Sequence, residues 1–345
     1  MENILILIHT EPDGSLSKHA FEAVSAGVLL KSQLADSHLS LSIVGFNASE
    51  AAKSFNPGDL ESIYAAGGEE LKYSRYATDS KAIETLLKTV NPTIVIAPAT
   101  PRWNKVVAGA AARVNGYTDT HINGIIANNG TIKATRWYYR QRIEVTFSRT
   151  QRPWVLLIES GIYQPYAPVT GNPAVREVAV EITDEMKKTS YVGVQEPPAG
   201  KNTIRPDAKL LFVAGAGWTK KQADGQVHLK EAEEIILEFL NLTRASLGSS
   251  KSLVDLGSEG QPVLSFLTHM NQIGQTGATP RHPKGLSTCC HGEEPHTVGW
   301  RFINERRAIN LDPNCGWARG KADVLYVADA FAVMKKVNEM LKAGK

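Results

Sequence analysis

Apolar strand runs alternate with helical patterns along the first part of the chain, and this alternation constrains the fold more than any other feature. The apolar runs that predict strands are residues 4–8, 39–45 and 93–98. Apolar residues at helical spacing predict helices at residues 18–34, 60–65, 82–90 and 106–114. Strands that alternate with helices indicate a parallel sheet covered on both faces.

The pattern changes between residues 124 and 182, where three β-rich runs are separated by short polar turns. These runs are residues 132–137, 142–147 and 154–160, and their short connections predict antiparallel pairing. Residues 191–207 then contain Pro197, Pro198, Gly200 and Pro206 and few apolar residues. This composition is typical of a linker, so we expect one domain at residues 1–190 and a second at 208–345.

The second domain begins with another apolar run, residues 209–214, which leads into Gly215, Ala216 and Gly217. A long amphipathic helix is predicted at residues 229–242. Further strands are predicted at residues 252–255, 307–311 and 324–327, followed by a closing helix at 330–341. The fold class is therefore α/β in both domains, and the second domain is expected to be doubly wound.

The composition excludes several classes of protein. The 345 residues are 42% hydrophobic and 21% charged, as in ordinary globular chains, and the net charge of +3 does not indicate nucleic-acid binding. No apolar run approaches the roughly twenty residues of a membrane span, so no membrane insertion is expected. The apolar run at residues 3–8 lacks a basic flank, which favours a buried strand over a signal peptide.

Three cysteines indicate a reducing compartment, and the cytoplasm is the expected location.

Two glycine-containing turns are candidates for binding a phosphate-bearing ligand. Gly215, Ala216 and Gly217 follow a strand, where open α/β sheets bind ligands, although Lys220 replaces the third glycine of a dinucleotide fingerprint. A tight turn that needs positive φ is the alternative. Gln275, Thr276 and Gly277 offer an amide, a hydroxyl and a flexible backbone to a phosphate or a flavin edge. An ordinary surface turn is the alternative there.

Polar residues also follow the last two predicted strands. Asn310 and Asp312 end one of them, a position that faces ligands in α/β sheets, although Asp312, Pro313 and Asn314 also match a turn. Asp329 ends the next strand. This carboxylate is suited to accept hydrogen bonds from an adenosine, or to cap the closing helix.

Residues 289–296 contain potential metal ligands, namely Cys289, Cys290, His291, Glu293, Glu294 and His296. Thiolates and imidazoles are good zinc ligands. Adjacent cysteines, however, do not easily bind one tetrahedral ion, and no Cys-x-x-Cys spacing occurs. A metal site therefore remains an alternative to a ligand-binding loop.

The ordered set of motifs resembles the α subunit of electron transfer flavoproteins. In the first domain, Pro98 through Asp119 is similar to the family's strand, alanine-rich helix and polar turn. In the second, residues 250–257 resemble the family's Ser-Arg-x-x-Val-Asp-x-Gly stretch, with Lys251 in place of arginine. Gln275, Thr276 and Gly277 stand in its Gly-Gln-Thr-Gly loop. Asn310, Asp312 and Asp329 match its Ile-Asn-x-Asp and Ala-Asp positions.

The resemblance implies an FAD held by the C-terminal domain and no substrate chemistry by the chain alone. It implies a heterodimer with a β subunit, met by the N-terminal domain, that binds AMP or a second FAD. It also implies that a flavoprotein dehydrogenase supplies the electrons. The cofactor-binding residues carried over from the family are Gly215, Ala216, Gly217, Lys251, Gln275, Thr276, Gly277, Gly292, His296, Asn310, Asp312 and Asp329.

Two departures from the family pattern bear on the flavin. Ala216 replaces an arginine between the glycines, and a cation there would stabilise a reduced, anionic flavin. Lys220, Lys221 and Arg281 are candidate substitutes. Residues 289–296 keep only the second glycine (Gly292) and the histidine (His296) of the family's Gly-Ile-Ser-Gly-x-x-Gln-His loop. A partner-binding scaffold without flavin is therefore an alternative function, and a metal-binding protein is another.

Overall fold

The computed structural model describes residues 1–56, 58, 60–138, 143–169, 171–193, 203–205, 207–273, 282–288, 303–315 and 322–344. The chain divides into two compact units, Met1–Val194 and Gln195–Lys345. Each unit contains its own sheet and its own hydrophobic core.

A nine-stranded mixed sheet forms the centre of the first unit among its described residues. Its strands are β1 Glu2–His9, β2 Ser37–Gly45, β3 Ser62–Gly67, β4 Ile94–Pro98, β5 Tyr117–Asn128, β6 Thr131–Tyr138, β7 Ile143–Phe147, β8 Trp154–Ile158 and β9 Val175–Glu177. Their order is β7-β6-β5-β8-β4-β1-β2-β3-β9. The β5–β6 and β6–β7 pairs are antiparallel. All other neighbours are parallel, so the predicted α/β class with an antiparallel portion is confirmed.

Helices cover both faces of this sheet: α1 Lys18–Ser32, α2 Ala48–Ala51, α3 Tyr76–Val90 and α4 Pro101–Ala112. The side chains of Ser17 and Thr100 cap the first turns of α1 and α4 by accepting backbone N–H bonds. Pro101 follows Thr100 at the first helical position, where the missing N–H costs nothing.

Strand β1 contributes to the hydrophobic clusters on both faces of the first sheet, because successive side chains point to opposite faces. Ile4, Ile6 and Ile8 pack in one cluster with residues of α1. Leu5 and Leu7 pack in the other with residues of α3 and α4. A strand that is apolar at every position is typical of a parallel sheet buried on both faces.

Two element predictions in the first unit are wrong. Residues 60–65 were predicted to be helical, but β3 occupies Ser62–Gly67 and pairs in parallel with β2. The run is too short for its apolar spacing to distinguish a helix from a strand. Residues 154–160 were predicted to pair in an antiparallel manner, but β8 is fully buried and parallel to β4 and β5. A run that is buried at every position fits a central parallel strand.

The described part of the second unit contains a five-stranded parallel sheet. Its strands are β10 Leu210–Ala214, β11 Ser246–Ser249, β12 His282–Thr288, β13 Ile303–Asn310 and β14 Val324–Val327, in the order β11-β10-β12-β13-β14. The helices of this unit are α5 Leu229–Thr243, α6 Lys251–Asp255 and α7 Ala330–Lys342. Phe212, Leu247 and Ile309 pack with residues of α5 and α7 on one face. Leu211, Val213 and Ala308 belong to the cluster on the other.

The predicted strand at residues 252–255 is wrong, because these residues lie in helix α6. The Ser250 hydroxyl accepts a hydrogen bond from the Leu253 N–H at 3.3 Å and thereby starts the helix. The strand lies just before it, at Ser246–Ser249. Thr203 and Arg205, from the sequence assigned to the linker, hydrogen-bond to this strand and to the end of α5.

Candidate functional site

The carboxyl edge of the five-stranded sheet is the candidate ligand site. All five strands are parallel, so they end at one edge. From β10 the chain continues to β11 on one side, and from β12 it continues to β13 on the other. Parallel α/β sheets bind ligands outside the carboxyl ends of strands where the order reverses in this way. That point lies between the ends of β10 and β12.

Gly215 and Ala216 lie at this reversal point. The Gly215 N–H donates to the Thr288 carbonyl at 2.8 Å, which joins the ends of β10 and β12. Gly215 has an extended conformation, with φ −98° and ψ 168°, so a need for positive φ does not explain this glycine. Ala216 and Gly217 begin a short 3-10 segment, Ala216–Thr219. The Ala216 side chain is buried in the hydrophobic cluster that includes Trp218 and Leu253.

Trp218 organises the loop after β10, and the sequence analysis did not identify it. Its indole N–H donates to the Thr288 hydroxyl at 2.8 Å, and that hydroxyl donates to the Val213 carbonyl at 3.1 Å. The indole also packs on Phe331 of α7, with 4.5 Å between ring centroids. A tryptophan directly after a glycine turn was the available signal, because large aromatic side chains dominate core packing.

The end of β11 and the start of α6 contribute a hydroxyl and a cation. The Ser249 side chain is fully buried, and its hydroxyl has no hydrogen-bond partner among the described residues. A buried hydroxyl without a partner is costly, and a ligand is one means of satisfying it. Lys251 is exposed, and its ammonium lies 3.1 Å from the Asp255 carboxylate. The cation that replaces the family's arginine is therefore present at this edge, within an ion pair.

Several predicted site residues lie outside the described residues: Gln275, Thr276, Gly277, Arg281, Cys289, Cys290, His291, Gly292, Glu293, Glu294 and His296. The structure reaches Ile273, whose N–H donates to the Ser249 carbonyl at 3.1 Å. This bond brings the chain to the carboxyl end of β11 just before the predicted turn. Among the residues that the structure covers, no group of three His, Cys, Asp or Glu side chains is arranged to hold a metal ion.

Asn310 and Asp312 form a turn at the end of β13. Asn310 is buried, and its Oδ1 accepts a hydrogen bond from the Asp312 N–H at 3.1 Å. Asp312 is exposed, and its carboxylate accepts from the Asn314 N–H at 2.8 Å. The turn that the sequence offered as an alternative for Asp312 is therefore present.

Asp329 caps helix α7, as the alternative interpretation of the sequence expected. Its Oδ1 accepts a hydrogen bond from the Ala332 N–H at 2.8 Å. The same residue lines a narrow crevice with Asn310 and with Gln222, which comes from the loop after β10. The structure thus brings together the two family positions Asn310 and Asp329 and adds Gln222, which the sequence analysis missed. The available signal was the Asp224-Gly225 dipeptide, which marks a tight turn close to Gln222.

The residues at this edge fit an adenine dinucleotide. The crevice is lined by amide and carboxylate groups that suit the hydroxyl and amino donors of an adenosine. The unpartnered Ser249 hydroxyl and the Lys251 cation are suited to anionic or polar ligand atoms. The arginine of the family pattern has no counterpart at Ala216, because that side chain packs in apolar surroundings. Lys220 and Lys221 follow the 3-10 segment and are exposed.

The first unit has a second strand-order reversal, between β1 and β4, and polar side chains of this chain fill it. The His9 imidazole donates from Nδ1 to the Thr10 carbonyl at 3.1 Å and accepts at Nε2 from the Thr100 hydroxyl at 2.8 Å. Arg102 forms a two-point ion pair with the fully buried Asp79 carboxylate, at 3.0 and 2.7 Å. Burial, with a contribution from the Arg102 charge, lowers the pKa of His9 to about 4. His9 is therefore neutral at pH 7.

Comparison with known proteins is consistent with this architecture. A family model described as the electron transfer flavoprotein domain matches residues 4–184. The electron transfer flavoprotein subunit alpha of Thermoanaerobacterium thermosaccharolyticum is 22% identical over 309 residues, which cover 88% of this chain and 87% of that protein. A solved glycosyl transferase of family 9 from Veillonella parvula aligns over 98% of this chain and 90% of its own. Its identity of 11% and TM-score of 0.25 are too low to indicate a common fold.

Within the described residues, no helix combines the length and the apolar character that crossing a membrane requires. The family match spans the first sheet and its helices, and the similarity to an α subunit extends through most of the second unit as well. The chain belongs to the electron transfer flavoprotein family, and within it resembles the α subunit.

Proposed function

We propose that this chain binds FAD at the carboxyl edge of its five-stranded sheet and transfers electrons as one subunit of an αβ heterodimer. The observation that carries the proposal is the convergence of Asn310 and Asp329 on one crevice, in a chain of this family. FAD, when bound, supplies the one- and two-electron chemistry of its isoalloxazine ring. The chain then determines where the cofactor lies and how strongly each charge state is held.

The proposed site combines residues at or after the carboxyl ends of all five strands. Its residues are Gly215, Ala216, Gly217, Lys251, Gln275, Thr276, Gly277, Gly292, His296, Asn310, Asp312 and Asp329. The Lys251 ammonium provides positive charge, and hydrogen bonds from a positive group to an anionic ligand are stronger than neutral ones. Residue 216 is an alanine in an apolar cluster, so it adds no positive charge beside the flavin, and the stabilisation of the reduced flavin is lowered or redistributed.

The proposed partners follow from the family. A β subunit that binds AMP or a second FAD would complete the heterodimer, with the N-terminal domain as the surface it meets. A flavoprotein dehydrogenase would supply the electrons, and a downstream acceptor would take them. The sparse cysteines favour the cytoplasm as the compartment.

Co-expression with a β subunit tests the proposal directly. We expect the purified pair to show flavin absorbance and to release FAD, identified by chromatography after denaturation. Gln275→Ala should weaken FAD retention by about 2- to 12-fold, which corresponds to one hydrogen bond of about 0.5–1.5 kcal/mol. A pair that assembles without flavin would refute the proposal and favour a partner-binding scaffold. Metal near one equivalent in place of flavin would instead favour a metal site at residues 289–296.

A further inference from the structure

A tight turn in the loop after β10 places Gln222 at the crevice. The Gln222 N–H donates to the Gln226 carbonyl at 2.8 Å, and the Gly225 N–H donates to the Gln222 carbonyl at 2.9 Å. Gly225 has a φ of +80°, which glycine adopts without strain. The Asp224 carboxylate accepts from the Gln226 N–H at 2.9 Å and completes the turn. The backbone position of Gln222 is therefore well determined.

The side-chain amide of Gln222 is also oriented. Its Nε2 donates to the Gly217 carbonyl at 3.1 Å and to the Lys220 carbonyl at 2.6 Å. Because two carbonyl oxygens require a donor, the chemistry decides which end of the amide is nitrogen. The other end, Oε1, is an acceptor that has no hydrogen-bond partner among the residues described.

Asp329 contributes a second acceptor to the same crevice. Its Oδ1 is occupied by the Ala332 N–H of the helix cap, and its Oδ2 has no partner within the described part of the chain. Gln222, Asn310 and Asp329 are the polar side chains of a lining that is otherwise aliphatic. A ligand that enters between Gln222 and Asp329 must therefore bring hydrogen-bond donors.

We propose that Gln222 is a binding residue for the ribose of an adenine nucleotide, accepting a hydrogen bond through Oε1 from a ribose hydroxyl. This inference rests on the proposed function, in which the nucleotide is the adenosine end of FAD. Two acceptors that line one crevice match the two neighbouring hydroxyls of a ribose. Acidic residues bind ribose hydroxyls in dinucleotide sites, and Asp329 offers a carboxylate oxygen to this crevice, although from a different strand. Gln222 would add the second acceptor.

The test compares the affinities for ADP and for 2′,3′-dideoxy-ADP, measured by calorimetry on the full-length chain. The ratio of the two affinities reports the hydroxyl contacts and is insensitive to overall charge. Gln222→Met removes both the acceptor and the donor of the amide. Gln226→Met is the matched control, since Gln226 is exposed and lies in the same turn.

We expect the wild-type chain to prefer ADP, and Gln222→Met to reduce this preference by about 2- to 12-fold. Gln226→Met should retain it. An unchanged ratio in Gln222→Met overturns the proposal, as does a wild-type ratio of one. A Gln222→Met variant that weakens both ligands equally leaves the ratio unchanged and shows that Gln222 only holds the turn. If the ratio behaves as expected but the αβ pair contains no FAD, the proposed function fails and the ribose contact stands.

Discussion

The indole N–H of Trp218 donates a hydrogen bond to the hydroxyl of Thr288 at 2.8 Å, and both residues are fully buried. This bond connects the loop after β10 to the end of β12, the two strands between which the strand order reverses. The loop that carries Gln222 therefore begins from a fixed point on the sheet.

Trp218→Phe removes this donor while keeping an aromatic ring beside Phe331. We expect the free energy of unfolding of the second unit to fall by about 1–3 kcal/mol, because the Thr288 hydroxyl loses a buried partner and the smaller ring leaves space. Urea unfolding followed by circular dichroism measures the change. Tyr326→Phe, which alters an exposed side chain of β14, is the control and should have little effect. A loss no larger than in this control would show that the bond is not important for stability.

Most strands of the first sheet could be predicted because the signal lies in the residues of the strand itself. Strands β1, β2 and β4 are apolar runs, and a run buried on both faces needs no partner to be recognised. By contrast, β11 and β12 are built from small and polar residues, including Gly248, Pro283 and Lys284. Only their neighbours in the sheet make them strands, and this information is not local.

The candidate site was predictable where a residue follows a recognisable strand. Asn310 and Asp329 were identified in this way, and the structure brings them to one crevice. Gln222 was not, because its position depends on a turn that folds back toward two distant strands. Asp329 also shows that the two interpretations of a residue need not exclude each other, since one carboxylate oxygen caps α7 and the other remains available.

The stability of the first unit should depend on pH through His9. The pKa of this residue is about 4 in the folded state, lowered by burial, against 6.5 in the unfolded chain. Between pH 6.5 and pH 4, His9 is therefore protonated in the unfolded state and neutral in the folded state. The free energy of unfolding is unaffected by this residue above pH 6.5. It decreases as the pH falls from 6.5 to 4, by up to about 3 kcal/mol.

His9→Gln should flatten this pH dependence, whatever its effect on stability at pH 7. The measurement is the urea midpoint at intervals between pH 7.5 and 4.5. His269→Gln, at an exposed position, serves as the control and should follow the wild type. A variant His9→Gln that loses stability as steeply as the wild type would assign the acid sensitivity to other groups.

Gly45 ends β2 in a conformation that other residues rarely adopt, with a φ of +135°. A Cβ at this position would lie 2.2 Å from the Thr10 hydroxyl oxygen. Gly45→Ala should therefore reduce the free energy of unfolding by about 1–3 kcal/mol through backbone strain, with a further steric cost. The double variant Thr10→Ala/Gly45→Ala, compared with Thr10→Ala alone, separates the two causes, because it removes the nearest clashing atom and keeps the φ. The Thr10→Ala variant accounts for the lost hydrogen bond from the Thr10 hydroxyl to the Phe46 carbonyl. We expect the double variant to recover part of the free energy of unfolding that Gly45→Ala loses. Full recovery would indicate that the steric clash, and not the backbone strain, causes the loss.

Asp329 allows helix capping to be separated from ligand binding. Asparagine caps helices about as well as aspartate, so Asp329→Asn should leave thermal stability nearly unchanged. Asp329→Ala removes the cap and should cost about 0.5–2 kcal/mol. If the carboxylate also accepts a hydrogen bond from the FAD ribose, both variants should bind FAD more weakly, and the Asn variant should do so without loss of stability. FMN, which lacks the adenosine, provides the comparison: its affinity should be the same in wild type and Asp329→Asn. Equal FAD affinity in wild type and Asp329→Asn would limit the role of Asp329 to the cap.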